Sequence, residues 1–576
     1  MHRLLNIMPL SRWLQTYQTQ HFVSDLIAGI IVAIILVPQS MAYAMLAGMP
    51  AEYGLYGAML PLTLYALLGS SRNLSVGPTA IMSLMVATSV GELNPESSTQ
   101  YIEYAINLAL LAGLFLFLLC LLRLGDIINF ISHPVISGFT SAAALLIIAS
   151  QLPHIIGVEQ AQKDEFIYVL VELWHSLENT LPITLMLGLV ALVVLWFFLK
   201  PLPSLLRRSC LPVTAQQTLS KTGSMFVVVL STLAVALFDL EQVHQVKTVG
   251  AVLEGLPVLS GIAVNFELWS RLALPAVLIA LVCFLESTSI GTGLASKRHE
   301  RIVPNQELLA LGAANLGAAF SGSFAVAGSF SRSAINFNAG AQTTIASLIS
   351  AVLVCITLLY LTPWFYYLPK AALGAIVIVA ALPMIDVSSF RRCWNFNKVD
   401  GLTMLTTFSM VLALGVERGI LFGIACSMLL LIYRSSRPHI AVLGRAGESR
   451  DFRNIKRENV STHSNILIVR VDENLYFANT RYVEAYILQH CAPNTELRHL
   501  VLSCVAVNFI DASALETLEG LTIKLRNMGI TLNLTEIKGP VMDHLNKTRL
   551  FDHLLPGRVF STTDDAIGTL AAVSPH

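Results

Sequence analysis

The sequence predicts a polytopic α-helical membrane protein of fourteen spans, built as a 7+7 inverted repeat and followed by a small α/β domain outside the membrane. Three observations predict it. The chain has 576 residues, of which 55% are hydrophobic and only 12% charged, and its mean hydropathy is +0.67; a soluble domain carries about 25% charged residues. Apolar runs of spanning length recur to about residue 433, with Lys and Arg gathered in alternate loops. Past residue 440 the texture changes to short apolar runs alternating with amphipathic stretches, the pattern of a sheet with helices packed on it. The domains are therefore drawn at 1–438 and 439–576.

The apolar runs fall near 25–47, 54–69, 78–91, 104–122, 133–152, 183–199, 224–238, 272–294, 306–320, 330–340, 343–362, 370–385, 401–415 and 419–433. Several are short for a full crossing. Arg12, Arg123, Lys200, Arg207, Lys221, Lys297, Arg298, Arg391, Lys398, Arg434 and Arg437 all fall on one side, which the positive-inside bias makes cytoplasmic. The opposite loops, such as GELNPESSTQ, are poor in Lys and Arg. EFIYVLVELWHSLEN, residues 165–179, has acidic and His interruptions and is expected as an interfacial helix on the outer side. The opening MHRLLNIMPLSRWLQTYQTQHF has no signal-peptide pattern and is expected to stay uncleaved and cytoplasmic. An even number of spans returns the C-terminus to the same side.

After the last span, RSSRPHIAVLGRAGESRDFRNIKREN reads as a polar, charged connection. Strands are expected at NILIVRV, LYFAN, HLVLSCV and ITLNLTEI, and helices at TRYVEAYILQHC, SALETLEGLTIKLRNMG and KGPVMDHLNKTRLFDHL. The eight cysteines (120, 210, 283, 355, 393, 426, 491 and 504) have no zinc-like spacing and are read as buried thiols. A net charge of zero gives no basic field for nucleic acid. No nucleophile–base pair, P-loop or metal constellation is present to carry an enzyme, and no cofactor is expected.

Cutting the fourteen spans into two sevens aligns local irregularities. The first span is expected to break at Val37-Pro38-Gln39-Ser40 and the eighth at Leu285-Glu286-Ser287-Thr288. NLSVGPTAIMSLM in the third span and AVAGSFSRSAINF in the tenth each run from a short β-prone stretch through glycine into a helix start. A helix that starts inside the membrane leaves its first N–H groups without intrahelical partners and carries about +0.5 of an elementary charge there. Two such ends meeting head to head repel each other, and an anion between them relieves the repulsion. Pro78 suits the first turn of the third span, Gly77 and Gly328 allow tight entry, and Thr79, Ser329, Ser331 and Ser333 supply hydroxyls. Arg332 adds a full positive charge in the same place. Blander roles stand beside these: an Arg332–Glu286 structural ion pair, small residues for close packing, Gln39 covering the backbone groups that Pro38 frees.

GSFSRSAINFNAGAQT, the preceding NQELLALGAANLG, and DLIAGIIVAIILVPQSMAYAMLAGMPAEYGLY near the start closely resemble the SulP family of anion transporters, and the resemblance covers nearly the whole chain. It implies core and gate domains, a homodimer, elevator-like alternating access and a C-terminal STAS domain in the cytosol. It implies an anion site between the starts of the third and tenth spans, lined by Gln39, Tyr43, Gly77, Thr79, Ser329, Phe330, Ser331 and Arg332. Glu286, in FLESTSIGTGLA, resembles a carboxylate tied to cation coupling. The resemblance is strongest to plant-type motifs, which favours a proton; sodium-using relatives carry an Asp and a Thr one turn later, and Ile290 at the second of these positions weakens the sodium expectation without removing it.

The function implied is sulfate:proton symport through a multi-pass protein of a bacterial inner (plasma) membrane, in contact with lipid and with both termini cytoplasmic. The alternatives are sodium-coupled transport of bicarbonate or a dicarboxylate, an uncoupled anion exchanger or channel, a nucleobase transporter on the same architecture, and a voltage-responsive motor. In the STAS domain, NFIDASALETL resembles the turn that presents a phosphorylatable serine in related regulators: Ser513 matches it, while Ala512 and Ala514 depart from it. Phosphate at a helix N-terminus is physically favourable; the competing role, and the expected one, is that Asp511 and Ser513 cap the helix.

Overall fold

The structure, a computed structural model, describes residues 8–126, 132–158, 166–206, 216, 219, 222–253, 255–257, 265–447 and 449–572. The chain divides into two compact units, Met1–Ala425 and Cys426–His576.

Each of the fourteen apolar segments carries helix in the first unit, the last continuing into the second. Span one is α1 (Thr19–Leu46); span two is split into α2 (Ala51–Gly57) and α3 (Leu60–Leu68). Span three is a two-residue strand, β1 (Val76–Gly77), followed by α4 (Ala80–Gly91); then come α5 (Ser98–Leu121) and α6 (His133–Ile156). The stretch expected at the interface forms α7 (Phe166–Ser176), followed by α8 (Pro182–Leu199) and α9 (Gly223–Leu237). The second half runs α10 (Phe266–Ser296), α11 (Pro304–Phe320), β2 (Ala327–Gly328), α12 (Phe330–Asn338), α13 (Ile345–Tyr360), α14 (Lys370–Ala381), α15 (Lys398–Leu414) and α16 (Val416–Ser436). Among the described residues, seven helical stretches are long and apolar enough to cross a membrane by length and composition alone. Spans three and ten are short because half of each is extended chain.

The packing carries the inverted repeat. Span one packs on span eleven, and span eight packs on span four. Span two meets span nine as well as eleven, and span nine meets span four; span five packs on thirteen and span twelve on six. Adding seven to both members of one pair reproduces another, as two superimposable halves require. The same pairs sort into two bundles, spans one, two, four, eight, nine and eleven in one and spans five, six, twelve and thirteen in the other. On α8, Met186, Leu189, Val193 and Trp196 are all exposed at three- and four-residue spacing, an apolar stripe that suits lipid.

Two expected breaks are absent. α1 is helical straight through Pro38, and α10 through Glu286-Ser287-Thr288. Pro38 removes one backbone donor, yet every residue from Val37 to Ala44 is buried against neighbours that hold the helix. Polar side chains in α10 leave the backbone ladder intact, so polarity there never signalled a break. Pro78 is likewise outside the first turn: α4 starts at Ala80 with Thr79 as N-cap. Two buried carboxylates instead tie the halves together. Glu307 accepts hydrogen bonds from Tyr65 Oη at 2.8 Å and from Ser70 N–H at 2.8 Å; Asp25 accepts from Gln342 N–H at 2.6 Å and Thr343 Oγ1 at 2.6 Å.

The second unit holds a six-stranded sheet of β3 (Ile440–Arg445), β4 (Phe452–Asn454), β5 (Ile466–Val471), β6 (His499–Ser503), β7 (Thr531–Thr535) and β8 (Val559–Phe560), in the order β4-β3-β5-β6-β7-β8. β5 to β8 are parallel; β3 and β4 add antiparallel. α17 (Thr480–Cys491) and α18 (Ala512–Asn527) cover one face, and Gly529 follows α18 with a positive φ of 75°. Three expectations change here. The charged connection contains β3 and β4; Ala441 and Leu443 of β3 are buried, and Arg445 on the same face pairs with Asp564. LYFAN forms a turn with one isolated bridge, Leu475 to Ile510. The last helix is two, α19 (Gly539–Leu545) and α20 (Leu550–Leu554). Of the thiols, Cys283, Cys491 and Cys504 are buried, Cys120, Cys355, Cys393 and Cys426 only half-buried, and residue 210 lies outside the described residues. Burial pushes the thiols of Cys491 and Cys504 up, to about 11 and about 12.

Candidate functional site

The site begins with two strands of two residues each. β1 and β2 pair antiparallel, Val76 opposite Gly328 and Gly77 opposite Ala327. Because each strand runs directly into a helix, antiparallel pairing sends α4 and α12 away from a common point with their N-termini adjacent. Ser329 N–H donates to Ser75 C=O at 3.0 Å, and Ser75 N–H donates to Ser333 Oγ at 2.9 Å. Thus α12 is tied to the strand that precedes α4. Gly328 has to be small: a Cβ there would lie 2.8 Å from Leu74 Cδ1 and 3.1 Å from Ser287 Oγ.

The two helix starts differ in chemistry. Thr79 caps α4 by accepting from Met82 N–H at 3.4 Å. Ser329 occupies the N-cap position of α12 but makes no side-chain cap; its Oγ lies 3.4 Å from Ser331 Oγ. Phe330, first in the helix, is 66% exposed, and Ser331 is half-buried.

Arg332 is fully buried at 0% exposure, and its Nε, Nη1 and Nη2 have no hydrogen-bond partner among the described residues. A Cβ on Gly77 would sit 3.4 Å from Arg332 Nη2, which places the guanidinium over the entry to α4 from its position on α12. Tyr43 and Glu286 are within electrostatic reach of Arg332, yet no ion pair with Glu286 forms among the described residues, and Glu286 Oε2 is buried without a hydrogen-bond partner. The structural ion pair weighed as the blander role for Arg332 is therefore not made. Gln39 and Tyr43 lie one turn apart on α1, which packs on both α4 and α12. Gln39 Oε1, Ser40 Oγ and Thr288 Oγ1 are buried without partners as well. Buried polar groups are nearly always satisfied, so this concentration of orphaned atoms makes the two helix starts the candidate site for a polar guest. Cation and hydroxyl donors dominate it, which suits an oxyanion.

The structure thus brings Gly77, Thr79, Ser329 and Arg332 together at the two tips, with Tyr43 and Glu286 beside them. Sequence reasoning missed the second ring of residues: Asn315, Cys283 and Ser287, which hold β2 in place. A lone Asn in the Gly- and Ala-rich span LGAANLGAAF was the signal available for the first. Ser513, in the second unit, is exposed at the second position of α18 and takes no part in the cap; Asp511 alone caps, accepting from Ala514 N–H at 2.8 Å.

Comparison with known proteins gives this arrangement a family. The model of the sulfate permease family matches residues 22–407, and that of the STAS domain matches residues 458–566. The chain is 35% identical to sulfate transporter 4.1, chloroplastic, of Arabidopsis thaliana, over 92% of this chain and 77% of that protein. It is 34% identical to probable sulfate transporter 4.2 of the same plant, over 97% of this chain and 83% of that one. Among solved structures, the murine Solute Carrier 26 family member A9 anion transporter in the inward-facing state superposes with a TM-score of 0.92 at 24% identity, covering 99% of this chain and 95% of that one. The transmembrane domain of a cyanobacterium bicarbonate transporter superposes with a TM-score of 0.59 at 21% identity, covering 71% of this chain and 98% of that one. The chain belongs to the sulfate permease family, a family of multi-pass membrane transporters and not of enzymes, and it carries a C-terminal STAS domain.

Proposed function

We propose that the protein is a secondary active transporter of an inorganic oxyanion, sulfate first, taken up together with a proton by elevator-like movement of one helix bundle against the other. The observation that carries the reading is Arg332, buried at 0% exposure with no partner for its three nitrogens, beside two helix starts that point at each other. Each start contributes roughly +0.5 of a charge; with the guanidinium the site totals about +2, the complement of a sulfate dianion. A bare charge at mid-membrane costs at least ~3 kcal/mol, so this complementarity is what makes crossing feasible. The most similar relatives reported above are named as sulfate transporters, which favours sulfate over bicarbonate.

Glu286 supplies the coupling. Ionised, it subtracts one charge and leaves the site near +1; protonated, it restores about +2. Proton and dianion therefore favour each other's binding, and by linkage the effect is reciprocal. A cavity of about 800 Å³ lies between the two bundles, lined by Glu52 and Glu96 on one wall and His154 and Lys370 on the other, which leaves room for relative movement. The Lys and Arg distribution supports both termini on the cytoplasmic side, and a plasma membrane is the membrane proposed.

Radiolabelled sulfate uptake into proteoliposomes, with and without a pH gradient, tests the reading. Wild type accumulates sulfate when the gradient is imposed; Glu286→Gln takes up sulfate without responding to it; Arg332→Ala takes up none. Gradient-driven accumulation that survives Glu286→Gln removes the coupling role, and uptake that survives Arg332→Ala removes the site.

A further inference from the structure

Strand β2 has two edges, and β1 covers only one. Ala327 faces Gly77, and Ser329 N–H reaches Ser75 C=O at 3.0 Å. The alternate residues, Val326 and Gly328, present N–H and C=O groups to the opposite edge. No strand lies there among the described residues; side chains of α10 and α11 do. Asn315, at 0% exposure on α11, accepts from Val326 N–H through Oδ1 at 3.0 Å and donates from Nδ2 to Val326 C=O at 3.1 Å. That is the two-bond exchange a neighbouring strand would make, performed by one amide. Cys283 Sγ donates to the same carbonyl at 3.2 Å, and Ser287 Oγ accepts from Gly328 N–H at 2.8 Å. Extended backbone at membrane depth persists only where every group is satisfied internally.

We propose that Asn315 is a positioning residue for the anion site: it stands in for a third strand, fixes the depth and register of β2, and so fixes where Arg332 sits six residues beyond Val326. Ser287 completes the clamp from the helix that carries Glu286, so the groups that receive the proton and the anion are held to one short strand. The inference rests on the reading of Arg332 as the anion's counter-charge. Asn315 does not touch the anion; it acts through the strand.

The test is sulfate uptake in proteoliposomes over a range of sulfate concentrations, with thermal unfolding of the same purified proteins. Asn315→Leu keeps the branched shape, in a larger side chain, and removes both hydrogen bonds to Val326; Ser287→Ala removes the hydroxyl, and Ser287→Thr restores it. The expected result is a KM for sulfate raised on the order of tenfold in Asn315→Leu and Ser287→Ala, with maximal rate per folded protein little changed, and recovery of KM in Ser287→Thr. A purely structural role would lower the unfolding temperature and the amount of folded protein while leaving KM alone. A folded Asn315→Leu with wild-type KM overturns the proposal. If Asn315→Leu does not fold, the Ser287 pair decides, and a wild-type KM in Ser287→Ala overturns it. Arg332→Ala runs in parallel: uptake retained there sinks the anion-site reading itself, whereas uptake lost there with KM unmoved in the clamp variants sinks only the positioning role.

Discussion

The starts of α4 and α12 occupy corresponding places in the two halves and were equipped differently. Counting from each N-cap, the third helical residue is Met82 in α4 and Arg332 in α12. Thr79 closes its own helix by accepting from Met82 N–H, and all but a few residues of α4 are apolar. Ser329 leaves α12 uncapped, and hydroxyls at 331 and 333 flank the arginine. Topology supplies two equal electropositive ends, because any inverted pair of half-helices does so. Side chains then make one end capped and apolar and the other uncapped and charged. On the proposed reading, the repeat would provide the field and a single helix the grip.

The comparison can be broken or sharpened in steps. The largest expected effect is the contrast between Arg332→Ala and Thr79→Ala in sulfate uptake: a loss of at least about 100-fold, down to no detectable uptake, for the first, as for truncating one partner of a buried charge pair formed with the bound anion, and less than about tenfold for the second. Comparable losses would mean that both tips grip. Next, Gly77→Val pushes methyl groups toward Arg332 Nη2, only 3.4 Å from where a Cβ would stand; uptake kinetics are expected to show KM raised about tenfold, equivalent to roughly 1.4 kcal/mol, with Gly77→Ala close to wild type. Thermal unfolding gives the third step. Ser333→Ala leaves Ser75 N–H without its acceptor and is expected to cost about 1–3 kcal/mol, more than the ~1 kcal/mol of losing the Thr79 cap. The smallest contrast uses α18 as a control outside the membrane: Asp511→Ala is expected to destabilise the second unit by about 1 kcal/mol, while Ser513→Ala stays within about 0.5 kcal/mol. Equal costs would return Ser513 to the cap.

Much of this was legible before any coordinates, and for identifiable reasons. Hydropathy located all fourteen helix-bearing segments of the first unit because lipid punishes polar residues along a whole span. Glycine, proline and hydroxyl residues in the third and tenth spans announced extended chain running into helix, since those residues are costly in a helix interior and useful at its start. What stayed hidden depends on partners far along the chain. Glu307 reads as a helix-start residue, and only the fold brings Tyr65, 242 positions away, to its carboxylate. Asn315 carries no sign that its amide will match the backbone of Val326. The helix through Pro38 persists because surrounding packing outweighs a local preference, and β3 and β4 were masked by the charged residues in and between them, one of which, Arg445, finds its partner only at Asp564, far along the chain.

The antiparallel pairing of β1 with β2 also bears on how the chain is made. β1 enters the bilayer early in synthesis, while the strand that pairs with it, and the serine that receives the Ser75 N–H, are translated only after spans four to nine. Until then the third span holds bare amides inside hydrocarbon, a condition lipid cannot remedy. The amino-terminal half by itself therefore lacks the partners that satisfy its third span, despite its matching architecture, and β1 is completed only when β2 arrives beside it.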